Sequence, residues 1–177
     1  MTDMREELIQ HLDAARAVLH ELLAQIPPET EIYPGWTLRQ FYAHLTGWDE
    51  AVTASLRAHA AGHTPATPAV KGIDAFNAES VAARSTLDDD RLVHEWRLAR
   101  EELKAALREL PIEKLDEPVV YAWGPTGSVE QMIEVFADRL EETGRLGIWA
   151  LLGLAIRETW HTLGAILRAH GSGYLRR

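Results

Sequence analysis

Apolar residues recur at helical spacing along most of the chain. Met4, Leu8, Ile9, Leu12, Ala15, Val18, Leu19, Leu22, Leu23 and Ile26 form one stripe, and Pro27–Pro28 ends the helix that carries it. After Pro34 and Gly35, Thr37 reads as an N-cap with Gln40 three residues on, a capping box. The second helix then bears Leu38, Phe41, His44, Leu45, Trp48, Val52 and Leu56 and fades near Gly62, before a loop with Pro65 and Pro68. A third helical region starts near Asp74, breaks between Ser85 and Asp88, and restarts with Thr86 or Asp88 as cap. Its later part carries Leu92, Trp96, Leu103, Leu107 and Leu110, and Pro111 closes it. Leu115 to Gly127, with Pro118, Gly124 and Pro125, reads as an ordered loop. Ser128 and Gln131 form a second capping box, so a fourth helix starts near Val129.

Gly144, Gly147 and Gly153 leave the end of that helix open. Either one long bent helix runs to about Ala169, or a break near Gly144 precedes a fifth helix. No segment alternates as a strand. The expectation is an all-α, up-and-down four-helix bundle over residues 1–177, a single domain with an additional or extended C-terminal helix.

Composition narrows the class. The chain has 177 residues, 46% hydrophobic and 25% charged, which is ordinary for one globular domain. The net charge of −9 argues against nucleic acid and anionic membrane surfaces as partners. With no cysteine, disulfides and thiolate ligation are excluded. The N-terminus lacks the basic-then-apolar pattern of a signal peptide, and the apolar run from Leu146 to Ile156 is too short to span a bilayer, so the expected location is the cytoplasm. No phosphate loop, nucleophile elbow or helical His-Glu-x-x-His motif is present. Leu146 to Leu167 holds more apolar surface than one amphipathic face needs, which predicts a homodimer formed through this segment.

Three stretches resemble a known family. Gly35 to Glu50, with its tryptophan, cap and His44-Leu45-Thr46-Gly47-Trp48 run, is similar to the second helix of DinB-like proteins. Asp74-Ala75-Phe76-Asn77-Ala78, leading to Arg84 and Trp96, resembles the third helix of the DfsB/ClbS-type branch. Leu115 to Pro118 with Trp123 to Val129 resembles the loop and cap that open helix four there. The resemblance implies a four-helix bundle. Many members bind a divalent metal through three histidines, one on helix two and two lying four apart on helix four, which puts both on one helical face. A catalytic zinc keeps a water in the open position, where it becomes a nucleophile near neutral pH. Characterised members include thiol-dependent transferases and isomerases, and a hydrolase that opens a strained cyclopropane in a genotoxin.

His44 matches the helix-two histidine, whereas the helix-four pair falls near Arg139 and Thr143, neither of them a good ligand. Pairing Arg157 with His161 instead still leaves one arginine. The metal site is therefore expected to be degenerate, with no cofactor; His44 and His161 are the weak metal candidates, zinc or nickel the alternative. The expected pocket residues are His44, Trp48, Asp49, Trp123, Arg139 and Thr143. No side chain is assigned a catalytic role. Trp36, Trp48 and Trp123 read first as packing residues, with Trp123 also placed to line a pocket mouth. Asp49 and Glu50 read as a solvated face, with Asp49 also placed to hydrogen-bond a nearby imidazole or arginine. Arg139, if turned inward, needs Glu50, Asp49 or Asp138 as partner, or grips an anionic ligand. His59 and His63 read as an exposed pair at a helix end. His11, His20, His94 and His170 show no ligand spacing. Three functions stay open: a small-molecule-binding protein, its ligand anionic where Arg139 grips it, a divalent-metal-dependent hydrolase or thiol transferase using His44, and a structural or interaction protein that dimerises through its C-terminal helix.

Overall fold

A computed structural model describes residues 3–33, 35–65, 67–68 and 71–142. Five helices lie among these residues: α1 (Met4–Leu23), α2 (Leu38–Ala60), α3 (Ile73–Ala83), α4 (Asp89–Glu109) and α5, residues 129–142. The caps are local chemistry. Asp3 accepts from the Arg5 N–H at the start of α1. Thr37 and Gln40 close the expected box at α2, and Asp88 rather than Thr86 caps α4 by accepting from the Arg91 N–H at 2.8 Å. Ser128 and Gln131 exchange bonds of 3.2 Å each at the start of α5. α2 ends in a Schellman turn: Gly62, at φ 73°, donates to the His59 carbonyl, and the His63 N–H donates to Ala58.

Two short antiparallel pairs run against the expectation of no strand. β1 (Glu31–Tyr33) pairs with β2 (Trp36–Thr37), and β3 (Val119–Val120) with β4 (Thr126–Gly127). Strands of two or three residues are too short to show alternation in the sequence.

The all-α bundle stands, but the plain up-and-down order needs one correction. Arg108 pairs with Glu6 and Lys104 with Asp13, so α1 and α4 run antiparallel. Arg39 pairs with Asp89 and Arg57 with Glu102, so α2 and α4 run parallel. The loop after α2 and the short α3 carry the chain back between them. The end of α2 lies beside the start of α5, because His59 Nε2 meets the Lys114 carbonyl at 2.9 Å and the Val129 N–H donates to Leu115. Near the start of α2, His44 and Leu45 share a cavity with Phe136, Arg139 and Leu140 near the end of α5, so α5 runs antiparallel to α2 and the four long helices run up, down, down, up.

The core is filled by Leu12, Leu19, Val52, Leu56, Trp96, Leu103, Leu107 and Met132, all fully buried. α3 lies close on α2 because residue 47 is glycine. A Cβ there would stand 2.3 Å from Ser80 Oγ and 2.7 Å from Ser80 Cβ. The choice between a long bent helix and a break near Gly144, and the apolar segment Leu146–Leu167, fall outside the described residues.

Candidate functional site between the second and fifth helices

His44 sits nearly two turns into α2 and is half-buried. The Trp36 ring meets it edge-on at 5.0 Å, Phe41 stacks at 6.0 Å, and Trp48 lies 6.3 Å away. Trp36 thus packs, as expected. Nδ1 of His44 is buried without a hydrogen-bond partner among the described residues. Burial drives the His44 pKa down to about 4, with the nearby Asn77 side chain pulling weakly the other way. The imidazole is therefore neutral at physiological pH.

Beside it lies a cavity of about 240 Å³ lined by His44, Leu45, Trp48, Ile73, Asn77, Trp123, Phe136, Arg139 and Leu140. α2 supplies the first wall. α3 supplies Ile73 and Asn77, whose Oδ1 accepts from the Trp48 indole N–H at 3.0 Å. The loop before α5 supplies Trp123, which rests on Phe136 with ring planes 20° apart and centroids 6.3 Å apart. Phe136, Arg139 and Leu140 reach the cavity together because they lie three and four apart on α5.

Of the expected pocket residues, the structure gathers His44, Trp48, Trp123 and Arg139. Asp49 is not among them. It is 1% exposed on another side of α2, where Arg16 Nη1 binds it at 2.6 Å. Neither a pocket position nor a solvated face describes it; the bond to an arginine does. Arg139 is solvent-exposed, so it is no buried charge in need of a core carboxylate. Glu50 is engaged by Arg84 at 2.5 Å. His59 also departs from expectation: it is buried and tied to the loop before α5, while His63 is exposed. Thr143 and His161 lie outside the described residues. Leu45, Ile73, Asn77, Phe136 and Leu140 were not foreseen as lining residues, although the 136–139–140 spacing was a usable signal.

The family model for the mycothiol maleylpyruvate isomerase N-terminal domain matches residues 5–144. The chain belongs to this family. It thereby falls within the DinB-like superfamily; the match does not carry the DfsB-type branch. Two crystal structures share the fold: a mycothiol-dependent maleylpyruvate isomerase, and a variant of it with one histidine changed to alanine. Each aligns at a TM-score of 0.63 and 20% identity over 85% of this chain, which spans 62% of the length of theirs. No curated protein matches.

A metal held by three histidines does not fit the described donor set. His44 is the one imidazole on the cavity wall, Arg139 has no lone pair to offer, and no three His, Cys, Asp or Glu side chains gather for a metal among the described residues. Nor is any helix among those residues long and apolar enough to cross a membrane.

Proposed function

We propose that this mycothiol maleylpyruvate isomerase N-terminal domain family member is a cytoplasmic binding protein for a small anionic molecule. The ligand occupies the cavity between α2 and α5. One observation carries the reading: the cavity is walled by aromatic rings and holds a neutral imidazole, and Arg139 is the one formally charged side chain among its described lining residues. A guanidinium at the edge of an apolar cavity favours an anion, which it can meet with two parallel hydrogen bonds, and repels a divalent cation. The DfsB-type branch is the finer placement within the superfamily, supported by the stretches around Asn77 and Trp123. The homodimer remains part of the proposal, supported by the apolar composition of Leu146–Leu167.

The family itself favours a second reading. Its solved relative is a mycothiol-dependent isomerase, so a thiol-dependent or metal-dependent reaction at His44 is the alternative, with any further ligands drawn from residues 143–177. Elemental analysis of protein incubated with zinc, nickel and manganese and then desalted separates the two, with His44→Ala alongside. Near-stoichiometric metal lost in His44→Ala would establish the second reading. The first expects no retained metal, and a melting temperature raised by a panel of small carboxylates in the wild type and not in Arg139→Gln. A ligand at one hundred times its Kd adds about 2.7 kcal/mol. At about 2–4 °C per kcal/mol for a domain of this size, that is a rise of about 5–10 °C.

A further inference from the structure

The cavity has two separate aromatic walls. On one side stand His44 and Trp48, with Phe76 of α3 edge-on behind Trp48 at 5.0 Å. On the other stand Trp123 and Phe136, nearly parallel to each other. Both sets line the same space, and among the described residues no ring pair joins them across it. Its volume of about 240 Å³ lies below the roughly 300–1,000 Å³ of sites for drug-sized ligands. Apart from the indole N–H groups of Trp48 and Trp123, the polar side chains on the described lining are Arg139, Asn77 and His44.

Resting on the anion-site reading above, we propose that the occupant is a flat, single-ring carboxylate. Its ring lies between the two aromatic walls, and its carboxylate is turned toward Arg139. Aromatic faces attract a conjugated ring in offset or edge-to-face geometry, and a puckered saturated ring of equal carbon count makes no such contact. The guanidinium binds the carboxylate and discriminates against the neutral amide. A cavity of about 150 Å³ already takes one benzene ring, so about 240 Å³ suits one ring with its carboxylate better than a fused pair. α3 sets the width of the slot. Gly47 admits Ser80 and Phe76 against α2, and Asn77 is held on the cavity wall by the Trp48 indole N–H.

Calorimetric titration of the full chain with benzoate, cyclohexanecarboxylate, benzamide and 2-naphthoate tests this. Benzoate binds at least about tenfold more tightly than each of the other three, the effect of contacts on two aromatic walls and one charge-assisted pair. Phe136→Leu brings benzoate and cyclohexanecarboxylate toward parity, while Arg139→Gln weakens both carboxylates together. The wild-type ranking decides the matter even where a variant fails to fold. Equal binding of benzoate and cyclohexanecarboxylate overturns the ring requirement and leaves the anion site standing. 2-Naphthoate binding as tightly as benzoate overturns the single-ring limit. No binding of any of the four overturns both this inference and the function on which it rests.

Discussion

Replacing Asp49 with alanine removes the carboxylate that two interior arginines share. Arg16, on α1, gives one guanidinium nitrogen to Asp49 and another to the Trp96 carbonyl, both at 2.6 Å, and its guanidinium carbon lies 3.9 Å over the Trp96 ring. Arg100, on α4, is 3% exposed, and none of its three guanidinium nitrogens has a hydrogen-bond partner among the described residues. Burial draws the Arg16 pKa down to about 10 against the pull of Asp49, and the charge of Arg100 lowers it further. Burial also lowers Arg100, and Asp49 is the foremost group opposing that shift. Among the described residues, the bundle interior thus holds two cations, Arg16 and Arg100, and one anion, Asp49. Breaking a buried pair by removing one partner costs about 3–5 kcal/mol, and with a second guanidinium close by, Asp49→Ala falls toward the upper part of that range. At about 2–4 °C per kcal/mol the melting temperature drops by about 6–20 °C. Arg100→Leu has the opposite sign. It removes a charge without hydrogen bonds and keeps much of the apolar volume, so stability is unchanged or rises by about 1–4 kcal/mol. Urea unfolding followed by far-UV circular dichroism reads both variants as midpoint shifts at constant slope. A loss below about 1 kcal/mol for Asp49→Ala would refute the shared-counter-ion account. So would a loss above about 2 kcal/mol for Arg100→Leu, which would show that Arg100 has an acceptor after all.

Two further predictions follow from single contacts. Because His44 titrates near 4 in the fold against 6.5 when unfolded, the unfolded chain binds the extra proton between those values and stability falls as pH falls through that window. The loss approaches roughly 3 kcal/mol at pH 4; His44→Gln flattens that part of the urea-midpoint profile, and parallel profiles for the two proteins would contradict the assignment. Gly47→Ala is expected to destabilise by about 1–3 kcal/mol, since the new methyl overpacks against Ser80, and Ser80→Gly in the same chain recovers part of the loss. Helix propensity alone predicts a gain of about 1 kcal/mol from that alanine, so a stabilised Gly47→Ala would show that α3 does not press on α2.

What the sequence disclosed is what local chemistry dictates. Thr37 with Gln40 and Ser128 with Gln131 are caps complete within four residues, and each forms the bonds its spacing implies. Direction was less legible. The parallel course of α2 and α4 depends on pairs such as Arg57 with Glu102, far apart in the chain. Asp49 misled for a related reason: beside Glu50 it resembles a surface carboxylate, and its partner stands 33 residues earlier. The clue lay on the partner helices. Arg16 falls four residues after Leu12 and three before Leu19, and Arg100 four after Trp96 and three before Leu103, so both occupy positions of the buried stripe. A cation on a core stripe calls for a buried counter-ion, and Asp49 is the carboxylate that answers.

α2 carries two polar centres that face different ways. His44 and Asp49 are five residues apart, which on an α-helix turns their side chains about 140° from one another. Asp49 turns to α1 and α4 and is sealed in the core, whereas His44 turns to α5 and an open cavity. Groups on one rigid helix without shared partners act nearly additively. Arg139→Gln, at an exposed position, should therefore weaken a carboxylate with little change in the unfolding midpoint. Asp49→Ala should lower the midpoint while the molecules that remain folded bind unchanged. If Asp49→Ala instead weakened binding beyond its unfolded fraction, the two centres would be coupled through α2, and the core charge cluster would belong to the site rather than to the scaffold.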